Sequence, residues 1–225
     1  MPMYTTLKKL LFQIIYRTYL WSSKGNTEFG LSERIVEYPF VVRNLQEDLP
    51  SGKKVLVVGC AGDVITTILC ALNYKTWGLD IKFVPLKYPN FQFLQGDIRH
   101  TNFQDGFFDA IVAVSTIEHV GIIDGDRHGD LNAIKEMIRI LAKGGVMLIT
   151  VPYSKEKTVD SFQRVYDDRE IKNLLKGFSI EKKFEFYKQD NKGYWMQTSP
   201  KNSHSGSDLD SAVALLKLKL LKGSG

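Results

Sequence analysis

The segment Ser115-Thr116-Ile117-Glu118-His119-Val120-Gly121 sets a carboxyl group beside an imidazole. An imidazole exchanges a proton near neutral pH, and a carboxylate can accept one. Glu118 and His119 are therefore the candidate catalytic pair, suited to proton transfer. Asp124, Asp126, His128 and Asp130 follow close behind. Such a density of hard oxygen donors could suit a divalent cation. It suits a solvated loop and a helix cap equally well, and that reading is preferred here, with no metal assigned.

Strand ends supply the other polar candidates. Val55-Leu56-Val57-Val58 is apolar without alternation, as in a parallel strand covered on both faces. It runs into Gly59-Cys60-Ala61-Gly62-Asp63, and a helix-length apolar run follows from Val64 to Leu72. A strand, a small-residue turn and a helix leave backbone N–H groups free to meet a polar ligand. Three further predicted strands end in the same way: 75–79 at Asp80, 91–96 at Asp97 and 107–114 at Ser115. Ligands of open α/β sheets bind along that edge. Asp80 lies 18 positions after Gly62, and its carboxylate suits a ribose diol. Asp97 suits an adenine amino group, with Ile81 and Ile98 on either side of the ring.

These elements must be held by a sheet. A fifth strand is predicted at 146–151, stopped by Pro152. Helices are predicted at 31–48 (kinked or broken at Pro39), at a face marked by Leu131, Ile134, Ile138 and Leu141, and at 167–176. Asp130 is the expected N-cap of the second of these, and Gly144-Gly145 its end. Residues 178–187 and 193–198 suggest a strand hairpin. Residues 200–210 are small and polar, as in a linker, and the Leu- and Lys-rich 211–222 suggest an amphipathic helix. Strands alternating with helices predict an α/β fold: a doubly wound, Rossmann-like sheet of about seven strands with flanking helices and extra N- and C-terminal helices.

Of 225 residues, 44% are hydrophobic, the net charge is +5 and there are two cysteines, Cys60 and Cys70. The mild, dispersed charge gives no reason to expect nucleic acid, and two cysteines make no disulfide framework, so a cytoplasmic setting is expected. Residues 7–21 have an amphipathic, basic pattern that fits a helix packed on the domain, or one lying on a membrane surface. They are too short to span a bilayer.

Five segments in order carry a resemblance: "VLVVGCAGD" (55–63), "TWGLD" (76–80), "FLQGDI" (93–98), "FFDAIVAVSTIEHVG" (107–121) and "MIRILAKGGVMLITVPY" (137–153). The chain resembles the class I S-adenosylmethionine-dependent methyltransferases over about residues 30 to 190. The resemblance implies S-adenosylmethionine as cofactor. It implies that Gly59, Cys60, Ala61, Gly62 and Asp63 hold the methionine part, Asp80 the ribose hydroxyls, Asp97 and Ile98 the adenine, and that Ser115 lies beside the amino group. The family signature carries an acid where Val57 sits and glycines where Ala61 and Asp63 sit. A dinucleotide-binding dehydrogenase would need a G-x-G-x-x-G turn, which this chain lacks. Some relatives bind a metal through E-x-x-E-H, and here Ser115 replaces the first Glu.

The resemblance further implies an acceptor pocket built after the fifth strand, where Tyr153, Arg164, Tyr166 and, further on, Trp195 are the candidates. The chain is also similar to methyltransferases associated with polysaccharide synthesis, through "EYPFVVRNL" (37–45) and "RVYDD" (164–168). That implies O-methylation of a sugar, a glycan or another small-molecule hydroxyl. The alternatives are a lipid-precursor methyltransferase held peripherally at a membrane by the terminal helices, and a non-catalytic protein that kept the cofactor fold. The expected domains are an N-terminal helix and linker (1–30), a methyltransferase domain (31–199), and a linker with a C-terminal helix (200–225).

Overall fold

The computed structural model describes residues 32–176, 178–190, 193–199 and 212–221. The predicted helix at 7–21 and the linker at 200–210 lie outside them. Helix α1 (Arg34–Asp48) precedes strand β1 (Lys54–Val58), helix α2 (Ile65–Ala71), β2 (Lys75–Asp80), β3 (Phe91–Gln95) and β4 (Phe108–Val114). A 3-10 turn (Ile117–His119), α3 (Gly129–Ile140) and β5 (Leu141–Tyr153) follow. A small hairpin of β6 (Thr158–Val159) and β7 (Arg164–Val165) leads to α4 (Asp168–Leu174), β8 (Ile180–Gln189), β9 (Trp195–Thr198) and β10 (Ala212–Leu220).

The main sheet has eight strands in the order β3-β2-β1-β4-β5-β10-β8-β9. Strands β1 to β5 pair in parallel, and β10 enters antiparallel between β5 and β8. Helices cover both faces. Phe40, Val41 and Leu45 of α1 and Ile65 and Leu69 of α2 pack on Val55, Val57, Val112, Val114 and Leu148. Ala133, Ile134, Met137 and Ile140 of α3 pack on Leu56, Val58, Ile111, Ala113 and Ile149 from the other side. Both faces are apolar because both are buried, which is why these strands show no alternation. Order reverses between β1 and β4, so the loops after these two strands open side by side at the C-terminal edge.

The C-terminal amphipathic helix expected at 211–222 is instead strand β10. A short apolar run reads as helix or strand alike until its partners are known. Here Val213 and Leu215 join the α1 side of the core, while Ala214, Leu216 and Leu218 join the α3 side. Other boundaries move as well. Helix α1 runs through Pro39, and α3 ends at Ile140, before Gly144-Gly145. Strand β5 begins at Leu141 and continues past Pro152 to Tyr153, because β10 pairs along it. Asp130 stands inside the first turn of α3, where its carboxylate accepts from the Tyr166 hydroxyl at 3.0 Å, and His128 occupies the cap position. Among the described residues, no helix is long and apolar enough to cross a membrane.

Candidate active site

The turn after β1 is tightly held. Gly59 has φ of 71° and donates its N–H to the Leu79 carbonyl at 2.9 Å. A Cβ there would strike the Thr116 side chain, which crosses above it and donates to the Val114 carbonyl at 2.9 Å. Asp80 pins the turn from β2: its Oδ2 accepts from Ala61 N–H and its Oδ1 from Lys82 N–H, both at 2.8 Å. Gly62, with φ of 79°, leaves open space beside it. Cys60 turns its thiol into the core against Gly78, where burial pushes it up to about 12. Only its backbone is left to the turn. Asp63 accepts from Ile65 N–H at 2.8 Å and from Tyr38, and burial raises its carboxyl.

On the adenine side, Ile81 is 59% exposed next to Asp80. Ile98 is only 4% exposed and belongs to the α3 side of the core, so the expected pair of flanking isoleucines does not form an open slot. Asp97 turns to Arg99, whose Nη2 lies 2.6 Å from it and whose hydrogen bonds hold its carboxyl below the usual range. Arg99 also binds Asp124 and Asp126, so these loop carboxylates close on a guanidinium.

Helix α1 brings the residues that sequence reasoning missed. Glu37 is fully buried at the edge of the sheet. Its Oε1 accepts from Ser115 Oγ at 2.7 Å and Thr150 Oγ1 at 2.6 Å, and its Oε2 takes the Arg34 guanidinium. Burial raises its carboxyl, opposed chiefly by the Arg34 charge. The Ser115 N–H donates to Thr150 Oγ1 at 2.9 Å, and this web holds Ser115 at φ of 41°. That left-handed conformation is uncommon outside glycine. The signal was present in the sequence: Glu37, Phe40, Val41, Asn44 and Leu45 form one helical stripe, and two of the five are polar.

The 3-10 turn sets the two catalytic candidates side by side, with His119 Nε2 3.7 Å from Glu118 Oε1. His119 is half-buried, with Nδ1 2.8 Å from the Phe162 carbonyl oxygen and its ring against the Phe162 ring. A carbonyl only accepts, so Nδ1 carries the hydrogen and the neutral ring keeps its lone pair on Nε2. Glu118 is 1% exposed, and neither carboxyl oxygen has a hydrogen-bond partner. Burial pushes its carboxyl well above the ordinary range.

The expected acceptor residues lie elsewhere. Arg164 is 5% exposed and donates to the carbonyls of Glu118, Val120 and Asp126, building the loop around His119. Tyr166 is buried on Asp130, and Tyr153 is buried with its hydroxyl on Asp168 at 2.8 Å. Trp195 stands on the edge strand β9, four places along the sheet from β4. Tyr153 pairs with Tyr166, and Tyr166 and Arg164 both reach Asp130, so these three meet in a buried cluster while Trp195 stands apart. What faces the site is Phe162, 68% exposed at the tip of the β6–β7 hairpin.

Residues 56–149 match the family model described as a methyltransferase domain. The chain carries a methyltransferase domain over this span. No curated protein matches it. The methyltransferase has the fold of several solved structures. One is an S-adenosylmethionine-dependent methyltransferase from Clostridium acetobutylicum (14% identity, covering 94% of this chain and 99% of that one, TM-score 0.57). Another comes from Methanosarcina mazei (16%, 79% and 97%, 0.55). A third is a 1,6-didemethyltoxoflavin-N1-methyltransferase from Burkholderia thailandensis, solved with its substrate and S-adenosylhomocysteine (11%, 93% and 89%, 0.58).

The residues of this methyltransferase fit the cofactor. The crowded Gly59 leaves backbone exposed at the turn, Asp80 keeps unused lone pairs, Ile81 offers an apolar surface, and Glu118 has a buried carboxyl with nothing bound to it. The bound cofactor supplies an electrophilic methyl group on a sulfonium. The protein's part is to align the acceptor and manage its proton.

Proposed function

We propose that this methyltransferase acts on oxygen, with a sugar, glycan or other small-molecule hydroxyl as acceptor, and that His119 is its general base. The observation that carries the reading is the bond from His119 Nδ1–H to the Phe162 carbonyl. It leaves a basic Nε2 on a partly exposed ring, in the turn that also sets Ser115 and Thr116 over the cofactor loop. A hydroxyl acceptor must lose its proton as the new bond forms, and a neutral imidazole is suited to take it. The β6–β7 hairpin lends the Phe162 ring as an apolar wall, of the kind that stacks on a sugar face. Cofactor binding falls to the 59–63 turn, Asp80, Ile81 and Ser115, with Asp97 contributing through its link to Arg99.

The test is transfer of labelled methyl from S-adenosylmethionine to a panel of sugars, glycans and small alcohols, with matched amines beside them. The product atom is then read by mass spectrometry and NMR. Methylation of a hydroxyl supports the proposal. Methylation confined to amines contradicts it.

A further inference from the structure

Family members carry an acid where this chain has Val57, and Val57 packs on the α1 face of the sheet. The side chain of Thr150 reaches that same face, where Glu37 of α1 meets it. A carboxylate therefore stands beside the cofactor turn after all, supplied by the helix in place of the strand. We propose that the Glu37 and Glu118 carboxyl groups, with Arg34, hold the amino-acid end of the cofactor, the ammonium on the two carboxyls and the carboxylate on Arg34.

Three observations carry this assignment. First, four carboxyl groups gather around one guanidinium. Glu37, Glu118, Asp63 and Glu33 all lie within electrostatic reach of Arg34, the cation they share. A bound ammonium is a second cation, and it favours the ionised forms of the two buried carboxyls. Second, both oxygens of Glu118 are buried without a hydrogen-bond partner, the nearest ionisable group being His119 Nε2 at 3.7 Å from Oε1. Such acceptors are costly when left empty, and an ammonium brings three donors. Third, Glu37 is bonded to Ser115, the residue at the end of β4, and Arg34 acts on Asp63, the last residue of the turn after β1. The acids and the guanidinium thus bracket the gap between the two strands where sheet order reverses. A zwitterion matches that arrangement of an acidic pair beside a guanidinium.

Calorimetric titration of the full chain separates the groups involved. Three ligands are used: S-adenosylhomocysteine, decarboxylated S-adenosylmethionine (which keeps the ammonium and lacks the carboxylate), and 5′-methylthioadenosine (which lacks both). Glu37→Gln and Glu118→Gln should each weaken the first two by about ten-fold or more and leave the third unchanged. Arg34→Met should weaken only S-adenosylhomocysteine. Glu118 has no side-chain bond to lose, so its variant reads binding rather than folding. Unchanged S-adenosylhomocysteine affinity in both Glu variants would overturn the proposal, and so would an equal loss of 5′-methylthioadenosine. The choice of methyl acceptor does not enter this test, so O-methylation and the amino-acid subsite stand or fall separately.

Discussion

The Nδ1 atom of His119 lies 2.8 Å from the carbonyl oxygen of Phe162, a residue 43 positions later in the chain. That bond fixes the imidazole tautomer and ties the turn after β4 to the tip of the β6–β7 hairpin. The proposed base and the proposed acceptor wall are thereby set as one unit. Asp160 holds the hairpin tip, accepting from the Phe162 and Gln163 N–H groups at 2.7 and 2.8 Å. Asp160→Ala should loosen this link and lower kcat several-fold, with S-adenosylhomocysteine affinity unchanged by calorimetry.

Asp80→Ala removes the acceptor that pins Ala61 N–H and the carboxylate proposed to take the ribose hydroxyls. Loss of hydrogen bonds to a charged group costs about 2 kcal/mol. Cofactor affinity should fall by about 30-fold or more, measured by titration, and the midpoint of thermal unfolding should fall as well, because the Ala61 and Lys82 N–H bonds are lost.

Arg164→Met tests a structural role against an acceptor-binding one. Its guanidinium satisfies three backbone carbonyls in a buried setting. Losing it should cost about 3 kcal/mol, seen as a lowered midpoint in urea. Unchanged stability with a raised KM for acceptor would return Arg164 to the substrate pocket.

Glu118 gives a pH signature. Its carboxyl titrates above the ordinary glutamate value of 4.5 in the folded chain because burial disfavours the charged form. Between the two values the folded state binds the extra proton, so this group's contribution is complete below about 4.5 and is lost as pH rises through the folded value. Glu118→Gln keeps the neutral shape without that loss. The variant should match the parent near pH 4 and melt higher than the parent at pH 8, by calorimetric scanning without ligand.

Much of this was legible in the sequence. Strands β1 to β4 and their polar ends follow from apolar runs closed by Gly59, Asp80, Asp97 and Ser115, since chain direction alone sends these ends to one edge. Strand β10 was not legible, because its burial between β5 and β8 removes the alternation that marks a strand. The acceptor residues misled for a related reason. Arg164 and Tyr166 have the chemistry of ligand binders, but an arginine and a tyrosine inside a loop serve its backbone and Asp130 equally well. Glu37 was overlooked because a glutamate in a helix is ordinarily solvated, and only the apolar company of Phe40 and Val41 gives it away.

The central claim is that His119 takes the acceptor's proton. It is tested most directly by His119→Ala, assayed for methyl transfer to the best hydroxyl acceptor of the parent and titrated with S-adenosylhomocysteine. Turnover should fall by about 100-fold or more with cofactor affinity retained. Turnover equal to the parent's would remove His119 from the chemistry and contradict the account.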